Sequence, residues 1–190
     1  MNVIINNSYV IQTNKIIYEK EYIIKEYNCK NYKFIKKVFE NEIEINKKLI
    51  QTKFDFFPKL FLIKKSNDIV RLYFKRINAI CFYKINKAKQ LFIFRKLLYI
   101  IRDLHSMGII HNDINLSNIL VDKDNKVYLI DYSLSSKLTE KNYINDIRAL
   151  EYILKKILNN ENIVFSEKSE ENIAQFIIYW SEKYEPLFKK

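Results

Sequence analysis

The sequence predicts an α+β fold with two lobes, in which a small antiparallel β-sheet lobe with one helix precedes a reduced, mostly helical lobe. Residues 1–77 contain several short runs of β-branched and aromatic residues and one segment with helical periodicity. Residues 78–190 are dominated by stretches with apolar residues at helical spacing. With 190 residues, 48% of them hydrophobic, the chain has enough apolar material for one such domain.

The first lobe is predicted to contain two hairpins and a helix. Residues 3–27 have strand composition, and "KIIYEKEYIIKEY" is expected to turn at Glu19–Glu21. A second hairpin is expected over residues 59–77, turning at Ser66–Asp68. Residues 34–51 between them have the period of a helix. The apolar residues on one face of that helix are Ile35, Val38, Phe39, Ile45 and Leu49.

Glu42 interrupts the apolar face of this predicted helix. It lies three residues from both Phe39 and Ile45, so it shares their face. Burying a carboxylate is costly unless a cation pairs with it. The sequence therefore predicts a buried basic partner for Glu42.

The second lobe is predicted to begin with a long central helix over residues 86–107. Gly108, the only glycine of the chain, follows it and suits a left-handed helix end. Two short strands, "NILV" and "KVYLI", flank a turn at Asp122–Asn125. A final helix is expected to start near Ser169. Two apolar stripes indicate helices in the last third: Ile147, Leu150, Leu154 and Ile157, then Ile173, Phe176, Ile177, Trp180 and Tyr184.

The composition limits the classes of function. The net charge of +11 indicates an anionic partner such as RNA, a nucleotide or a membrane surface, or else the lysine excess of an AT-rich genome. Both explanations stay open. No uninterrupted apolar run exceeds five residues, so membrane insertion is not expected. The two cysteines form no metal pattern and are expected to be reduced thiols.

A polar motif inside an apolar segment carries the predicted chemistry. In "GIIHNDINLSNIL", the residues His111, Asp113 and Asn118 satisfy H-x-D-x-x-x-x-N, and Asp131 follows thirteen residues later. Phosphoryl transfer needs metal ions on the phosphates and a carboxylate near the acceptor hydroxyl. Magnesium prefers oxygen ligands, which Asn118 and Asp131 offer. Asp113 would orient the hydroxyl and accept its proton. His111 is expected to have a structural role.

With these motifs, the chain resembles the protein-kinase superfamily. "HNDINLSN" corresponds to the catalytic loop, "DYS" to the DFG motif, and "YIIK" to the V-A-I-K strand. The resemblance implies a minimal protein-kinase-like fold with a nucleotide-binding first lobe and a catalytic second lobe. It also implies ATP and Mg²⁺ as cofactors. Lys25 would hold the α and β phosphates, and Glu42 would pair with Lys25.

Among kinases, the chain resembles most the small atypical kinase/ATPase subunit of the KEOPS (EKC) tRNA-modification complex. "VIQTNKIIYE" lies where that family has a phosphate loop, and there Gln12 and Lys15 would contact the nucleotide. "IKEYNCKNYK" and "NDIRALEYIL" also resemble family segments. The matching residues there are Lys25, Glu26, Lys30, Tyr32, Lys33, Asp146 and Glu151.

The KEOPS resemblance implies an ATP- and Mg²⁺-dependent atypical serine/threonine kinase or ATPase. It would support formation of threonylcarbamoyl-adenosine in tRNA. The expected partner is the threonylcarbamoyl-transferase subunit, and a contact with tRNA would follow from the same resemblance. The protein would then reside in the cytoplasm or the nucleus.

Other functions remain open. A lipopolysaccharide- or sugar-directed kinase of the same superfamily would share the short catalytic motif and a basic surface. A pseudokinase acting as a binding module would explain the missing glycines, since "QTNK" lacks them and Ser133 replaces the glycine of DFG. Asp113 and Asn118 could also be a turn and cap pair that only holds a loop.

Overall fold

The chain forms two compact units, Met1–Asn78 and Ala79–Lys190. We describe them from a computed structural model. The residues that the structure describes are 2–5, 9–12, 15–30, 33–159 and 175–178. None of the helices in these ranges combines the length and apolarity needed to cross a bilayer.

The part of the first unit that the structure describes consists of a hairpin, a four-stranded antiparallel sheet and one helix. The hairpin pairs β1 (Asn2–Ile5) with β2 (Tyr9–Gln12). The strands of the sheet are β3 (Lys15–Tyr18), β4 (Tyr22–Asn28), β5 (Leu60–Ser66) and β6 (Ile69–Lys75). Their order in the sheet is β3-β4-β6-β5. The helix α1 (Lys33–Ile50) connects β4 to β5.

The core of this unit lies between the sheet and α1. Alternate residues of β4 and β6 point to one face of the sheet, as the period of a strand requires. The apolar face of α1 covers them. The buried residues of this core are Tyr27, Ile35, Val38, Phe39, Val70, Leu72 and Phe74.

Within its described residues, the second unit contains two long helices and two small sheets. The helices are α2 (Lys87–Ser106) and α3 (Ile144–Leu158), and residues 175–178 are also helical. The strands are β7 (Ala79–Cys81), β8 (Ile109–Ile110), β9 (Ile119–Asp122), β10 (Val127–Leu129) and β11 (Ser136–Lys137). One sheet has the order β10-β9-β7, and the other pairs β11 with β8.

The ends of α2 follow from its sequence. The side chain of Asn86 accepts a hydrogen bond from the amide of Ala88 at 2.9 Å, which caps the first turn. At the other end, Gly108 has φ +70° and donates its amide to the carbonyl of His105 at 2.9 Å. The chain leaves the helix there and enters β8, the strand that leads into the predicted catalytic loop.

The α+β fold class predicted from the sequence is confirmed. Both hairpins and the helices α1, α2 and α3 form as the periodicity predicts. The sequence reasoning missed β7, β8 and β11, which are two or three residues long. In the second predicted stripe, Phe176 is buried. The remainder of that stripe apart from Ile177, and the helix start at Ser169, lie outside the described residues.

Candidate active site

The predicted catalytic loop lies between β8 and β9. Its first residue, His111, is fully buried, and its ring meets the ring of Tyr132 edge-on at 4.9 Å. Burial lowers the pKa of His111, although the negative charge of Asp146 opposes this shift. The imidazole is therefore uncharged near neutral pH, and its surroundings fit the packing role expected from the sequence.

Asp113 has a carboxylate that two side-chain amides hold in place. Asn118 donates its Nδ2 to Asp113 Oδ2 at 2.7 Å, and Asn115 donates its Nδ2 to Oδ1 at 3.1 Å. Burial raises the pKa of Asp113, as does the charge of Asp131, whereas the two amide hydrogen bonds lower it. The result is an oriented carboxylate whose pKa lies above its ordinary value. Such a group is suited to bind a hydroxyl and accept its proton.

Asn118 and Asp131 lie on adjacent backbone segments, because the amide of Ile130 donates to the carbonyl of Asn118 at 2.9 Å. Asn118 donates its side-chain nitrogen to both the carbonyl and the carboxylate of Asp113, so its side-chain oxygen is the atom that could bind a metal ion. Asp131 has φ +68°, and its Oδ1 accepts the hydroxyl of Ser133 at 2.7 Å. The unusual backbone and this hydroxyl set the direction of the carboxylate.

These donors suit a magnesium ion that is bound together with phosphates. In the described parts of the chain, no cluster of three or more His, Cys, Asp or Glu side chains could form a protein-only metal cage. Magnesium does not need one, since it commonly takes one or two protein oxygens and completes its shell with water and substrate phosphates. One amide oxygen, from Asn118, and one carboxylate, from Asp131, match that requirement.

Asp146 anchors the catalytic loop from α3. Its carboxylate is fully buried and accepts the backbone amides of His111 at 2.9 Å and Asn112 at 2.8 Å. The Nε2 of His105 lies 2.9 Å from the same carboxylate. The sequence identified Asp146 only through a family resemblance and assigned it no role. The sequence does contain one signal for a buried role: Asp146 lies one helical turn before Leu150, on the apolar stripe of α3.

The first unit contains a second polar cluster. Lys25 Nζ lies 2.6 Å from Glu42 Oε1, and Glu42 is 1% exposed. Lys25 is therefore the buried cation that the sequence predicts for Glu42. The Tyr27 hydroxyl donates to Glu42 Oε2 at 2.7 Å. Lys25 and Tyr27 are two residues apart on β4, so their side chains lie on the same face of the sheet. From the sequence alone, a tyrosine at this position is expected to be a core residue, and its hydrogen bond to Glu42 is not predictable.

The structure says less about the predicted phosphate loop. Gln12 ends β2, and its side chain lies outside the described residues. Lys15 begins β3 and is exposed. The nucleotide contacts of Gln12, Lys15, Lys25 and Glu42 therefore remain predictions. Of the predicted site residues, the structure brings Lys25 together with Glu42, and Asp113 together with Asn118.

Curated relatives and a family profile both indicate kinases. The profile of the lipopolysaccharide kinase (Kdo/WaaP) family matches residues 73–179, more than half of the chain. Hormonally up-regulated neu tumor-associated kinase of Mus musculus is 26% identical over 88 residues, 46% of this chain and 11% of that protein. A probable serine/threonine-protein kinase of Encephalitozoon cuniculi is 42% identical over 60 residues, 32% of this chain and 11% of that protein. The chain thus spans about a tenth of the length of these relatives.

Solved structures confirm the predicted kinase-like fold. A structure of the bifunctional kinase-methyltransferase WbdD is 16% identical, with a TM-score of 0.69 over 90% of this chain and 42% of that chain. WbdD crystallised with a kinase inhibitor is 15% identical, with a TM-score of 0.68 over 97% of this chain and 48% of the other. At these identities the likeness shows the fold.

The family and the fold together define the class of protein. The predicted enzyme class, phosphotransferase, is confirmed at the level of the family, and kinases in general use ATP and a divalent metal ion. None of the reported matches supports the KEOPS subunit, whereas the family match favours the alternative of a lipopolysaccharide- or sugar-directed kinase. The chain belongs to the lipopolysaccharide kinase (Kdo/WaaP) family.

Proposed function

We propose that this chain is an ATP-dependent kinase that phosphorylates a hydroxyl group of a lipopolysaccharide-type carbohydrate. One observation carries the proposal. The carboxylate of Asp113 is held by Asn115 and Asn118 beside Asp131, inside the segment that matches the lipopolysaccharide kinase family. A carboxylate next to two potential metal ligands is the arrangement that phosphoryl transfer to a hydroxyl requires.

The residues have distinct roles in the proposed reaction. Asp113 orients the acceptor hydroxyl and takes its proton while the hydroxyl oxygen bonds to the γ-phosphorus of ATP. The bond from that phosphorus to the β–γ bridging oxygen breaks, and ADP leaves with its electron pair. Asn118 and Asp131 would hold Mg²⁺, which neutralises charge on the phosphates when bound. Lys25, paired with Glu42, would bind the α and β phosphates.

Two other functions predict different acceptors. The KEOPS role predicts association with a threonylcarbamoyl-transferase subunit, a contact with tRNA and ATP hydrolysis that this partner stimulates. The probable serine/threonine-protein kinase of Encephalitozoon cuniculi favours a serine or threonine acceptor, although the match covers 11% of that protein. The acceptor therefore decides between the proposals.

The test measures transfer of labelled phosphate from γ-labelled ATP with Mg²⁺ to three acceptors in parallel. These are lipopolysaccharide core oligosaccharide, casein, and a threonylcarbamoyl-transferase subunit supplied with tRNA. We expect label on the oligosaccharide, and a loss of about 100-fold or more in the variant Asp113→Asn. Asp124→Asn is the matched control, because Asp124 is an exposed turn residue of the same unit.

Label on casein alone would replace the carbohydrate by a protein acceptor. Turnover only in the presence of the transferase subunit would restore the KEOPS role. An unchanged rate in Asp113→Asn would contradict every version in which Asp113 accepts the proton.

A further inference from the structure

The segment that follows Asp131 returns directly to the catalytic loop. Ser136 in β11 pairs with Ile110 in β8, and the amide of Leu138 donates to the carbonyl of Gly108 at 2.8 Å. The hydroxyl of Ser135, a buried residue, donates to the carbonyl of His111 at 3.2 Å. These contacts connect the segment after Asp131 to the catalytic loop.

Asn112 lies at the centre of these contacts and immediately precedes Asp113. Its Nδ2 donates to the carbonyl of Leu134 at 3.1 Å and to the hydroxyl of Ser136 at 2.9 Å. Its Oδ1 accepts from Asn145 Nδ2, at the start of α3, at 3.0 Å. We call Asn112, Leu134, Ser136 and Asn145 the Asn112 cluster. The amide group of a single side chain therefore joins the catalytic loop, the segment after Asp131 and α3.

The backbone of Asn112 is held as well as its side chain. Its φ of +63° lies in the left-handed region, which asparagine and glycine adopt more readily than other residues. Its amide donates to Asp146 at 2.8 Å. Because the next residue is Asp113, any rotation of Asn112 would move the carboxylate that Asn115 and Asn118 hold.

The Asn112 cluster contains no charged side chain. In many kinases, the segment after the metal-binding aspartate becomes ordered only when a phosphate on it pairs with arginine. Amide and hydroxyl groups make the corresponding connection here in the unmodified chain. Asn142 adds a further neutral contact, from its Nδ2 to the Ser136 hydroxyl at 3.3 Å.

We propose that Asn112 is a positioning residue that fixes Asp113 by holding residues 134–136 against the catalytic loop, so that catalysis needs no phosphorylation of this segment. The proposal rests on the proposed function, because it concerns the carboxylate that receives the acceptor's proton. It extends that function by proposing that the uncharged Asn112 cluster, rather than a phosphorylated residue, holds the catalytic loop in its active arrangement.

The main test is the variant Asn112→Gly. Glycine adopts a φ of +63° without strain, so this change removes the side-chain hydrogen bonds and keeps the backbone geometry. We expect kcat for phosphoryl transfer to fall about 10- to 100-fold, because a small displacement of Asp113 acts on the chemical step. KM for ATP should change by less than about threefold, because the nucleotide contacts are not altered.

Ser136 tests the same contact from the other side. Ser136→Ala should reproduce part of the loss in kcat, whereas Ser136→Thr, which keeps the hydroxyl, should restore it. The loss in the double variant Asn112→Gly/Ser136→Ala should be smaller than the product of the two single losses, because both changes remove one shared hydrogen bond. Hydrogen exchange at residues 134–137 should be faster in Asn112→Gly than in the wild type.

Asn125→Gly is the matched control. Asn125 also has a positive φ, +59°, but it lies in the turn between β9 and β10. The variant Asn125→Gly should leave kcat unchanged. A wild-type kcat in Asn112→Gly would overturn the proposal. So would a Ser136→Thr variant as impaired as Ser136→Ala, since that result would indicate a purely structural role.

A failure of the proposed function can be told apart from a failure of this inference. If the wild-type chain phosphorylates no acceptor, hydrogen exchange at residues 134–137 decides the question, because it needs no substrate. Exchange there should still be faster in Asn112→Gly, since the variant loses the side-chain contacts to Leu134 and Ser136. Unchanged exchange at these residues would overturn the role of Asn112.

Discussion

Glu42 is the residue whose surroundings most directly follow from physical chemistry. It lies on the apolar face of α1 at 1% exposure, with Lys25 Nζ at 2.6 Å and the Tyr27 hydroxyl at 2.7 Å. Removing one member of a buried ion pair leaves the other charge buried without compensation. We expect Glu42→Gln to lower the free energy of unfolding by about 3 kcal/mol, measured by urea denaturation.

Glu44 supplies the control for this prediction on the same helix. Its Oε1 lies 2.7 Å from Lys48 Nζ, a distance close to that of the buried pair, but its side chain is 66% exposed. Solvent screens such a pair, so Glu44→Gln should change the stability by no more than about 0.5 kcal/mol. Equal losses in the two variants would show that burial is not what makes the Glu42 pair important.

Asp113 makes the rate dependent on pH. The proposed base acts only when it is ionised, and burial raises its pKa above the ordinary value of 3.8. The rate should therefore fall as the pH drops through a midpoint above 3.8. The amide of Asn115 stabilises the ionised form and lowers this pKa. In Asn115→Ala we expect the acidic midpoint of kcat to move to higher pH.

The position of the midpoint, rather than the size of kcat, tests this idea. Asn115 also accepts the amides of Ser117 and Asn118, so its loss can lower kcat through the loop as well. Asn125→Ala, in a turn of the same unit, should leave the midpoint in place. A midpoint that moves to lower pH in Asn115→Ala would contradict the role given to this hydrogen bond.

The junction between α2 and β8 shows how one residue sets the end of an element. Gly108 has φ +70°, and a Cβ built on it would meet no atom within 4 Å. A side chain there would thus cause backbone strain but no clash. We expect Gly108→Ala to lower the free energy of unfolding by about 1 kcal/mol, measured by thermal or urea denaturation.

Asparagine distinguishes strain from other causes at this position. It tolerates the left-handed conformation better than alanine does, so Gly108→Asn should be less destabilising than Gly108→Ala. If the larger side chain of asparagine costs more stability than alanine, crowding rather than backbone strain would explain the need for glycine.

The elements differ in how well the sequence predicts them. The helices α1, α2 and α3 each present an apolar stripe long enough to be recognised from periodicity. The strands β8 and β11 have two residues each, and they exist because the segment after Asp131 returns to Gly108. Such pairing is a consequence of tertiary structure, and no local sequence pattern predicts it.

The residues of the candidate site also differ in how well the sequence predicts their contacts. Glu42 was predicted to be buried and paired because a carboxylate stood on an apolar face. Asp146 lies on the apolar stripe of α3 in the same way, yet its partners are backbone amides 34 and 35 residues away, which leave no trace in sequence spacing. The hydrogen bonds of Tyr27 and Asn112 were missed for the same reason.

For the whole molecule, the motifs predict the reaction better than the acceptor. The order of Lys25, Glu42, Asp113, Asn118 and Asp131 indicates phosphoryl transfer because each residue type answers a requirement of that chemistry. The acceptor is bound by surfaces whose residues are not fixed by the chemistry. For that reason the sequence favoured a KEOPS subunit, whereas the family match favours a carbohydrate kinase.

Binding of Mg²⁺ and ATP should depend on Lys25 and on Asp131, through the phosphate and metal contacts proposed for these two side chains. A ligand that binds only the folded state stabilises it, by about 2.7 kcal/mol at a concentration of 100 Kd. We expect ATP with Mg²⁺ to raise the Tm of the wild type, and both Lys25→Met and Asp131→Asn to abolish most of this shift. Differential scanning fluorimetry at several ATP concentrations measures it.

The controls for this experiment follow from the proposed roles. Removing Mg²⁺ with EDTA should reduce the Tm shift of the wild type to that of Asp131→Asn, because both changes remove the metal from the phosphates. Lys36→Met, at an exposed lysine of α1, should keep the full shift, which excludes a general effect of positive charge. A full, Mg²⁺-dependent shift in Lys25→Met would show that the nucleotide binds without Lys25, and the role proposed for this residue would then be wrong.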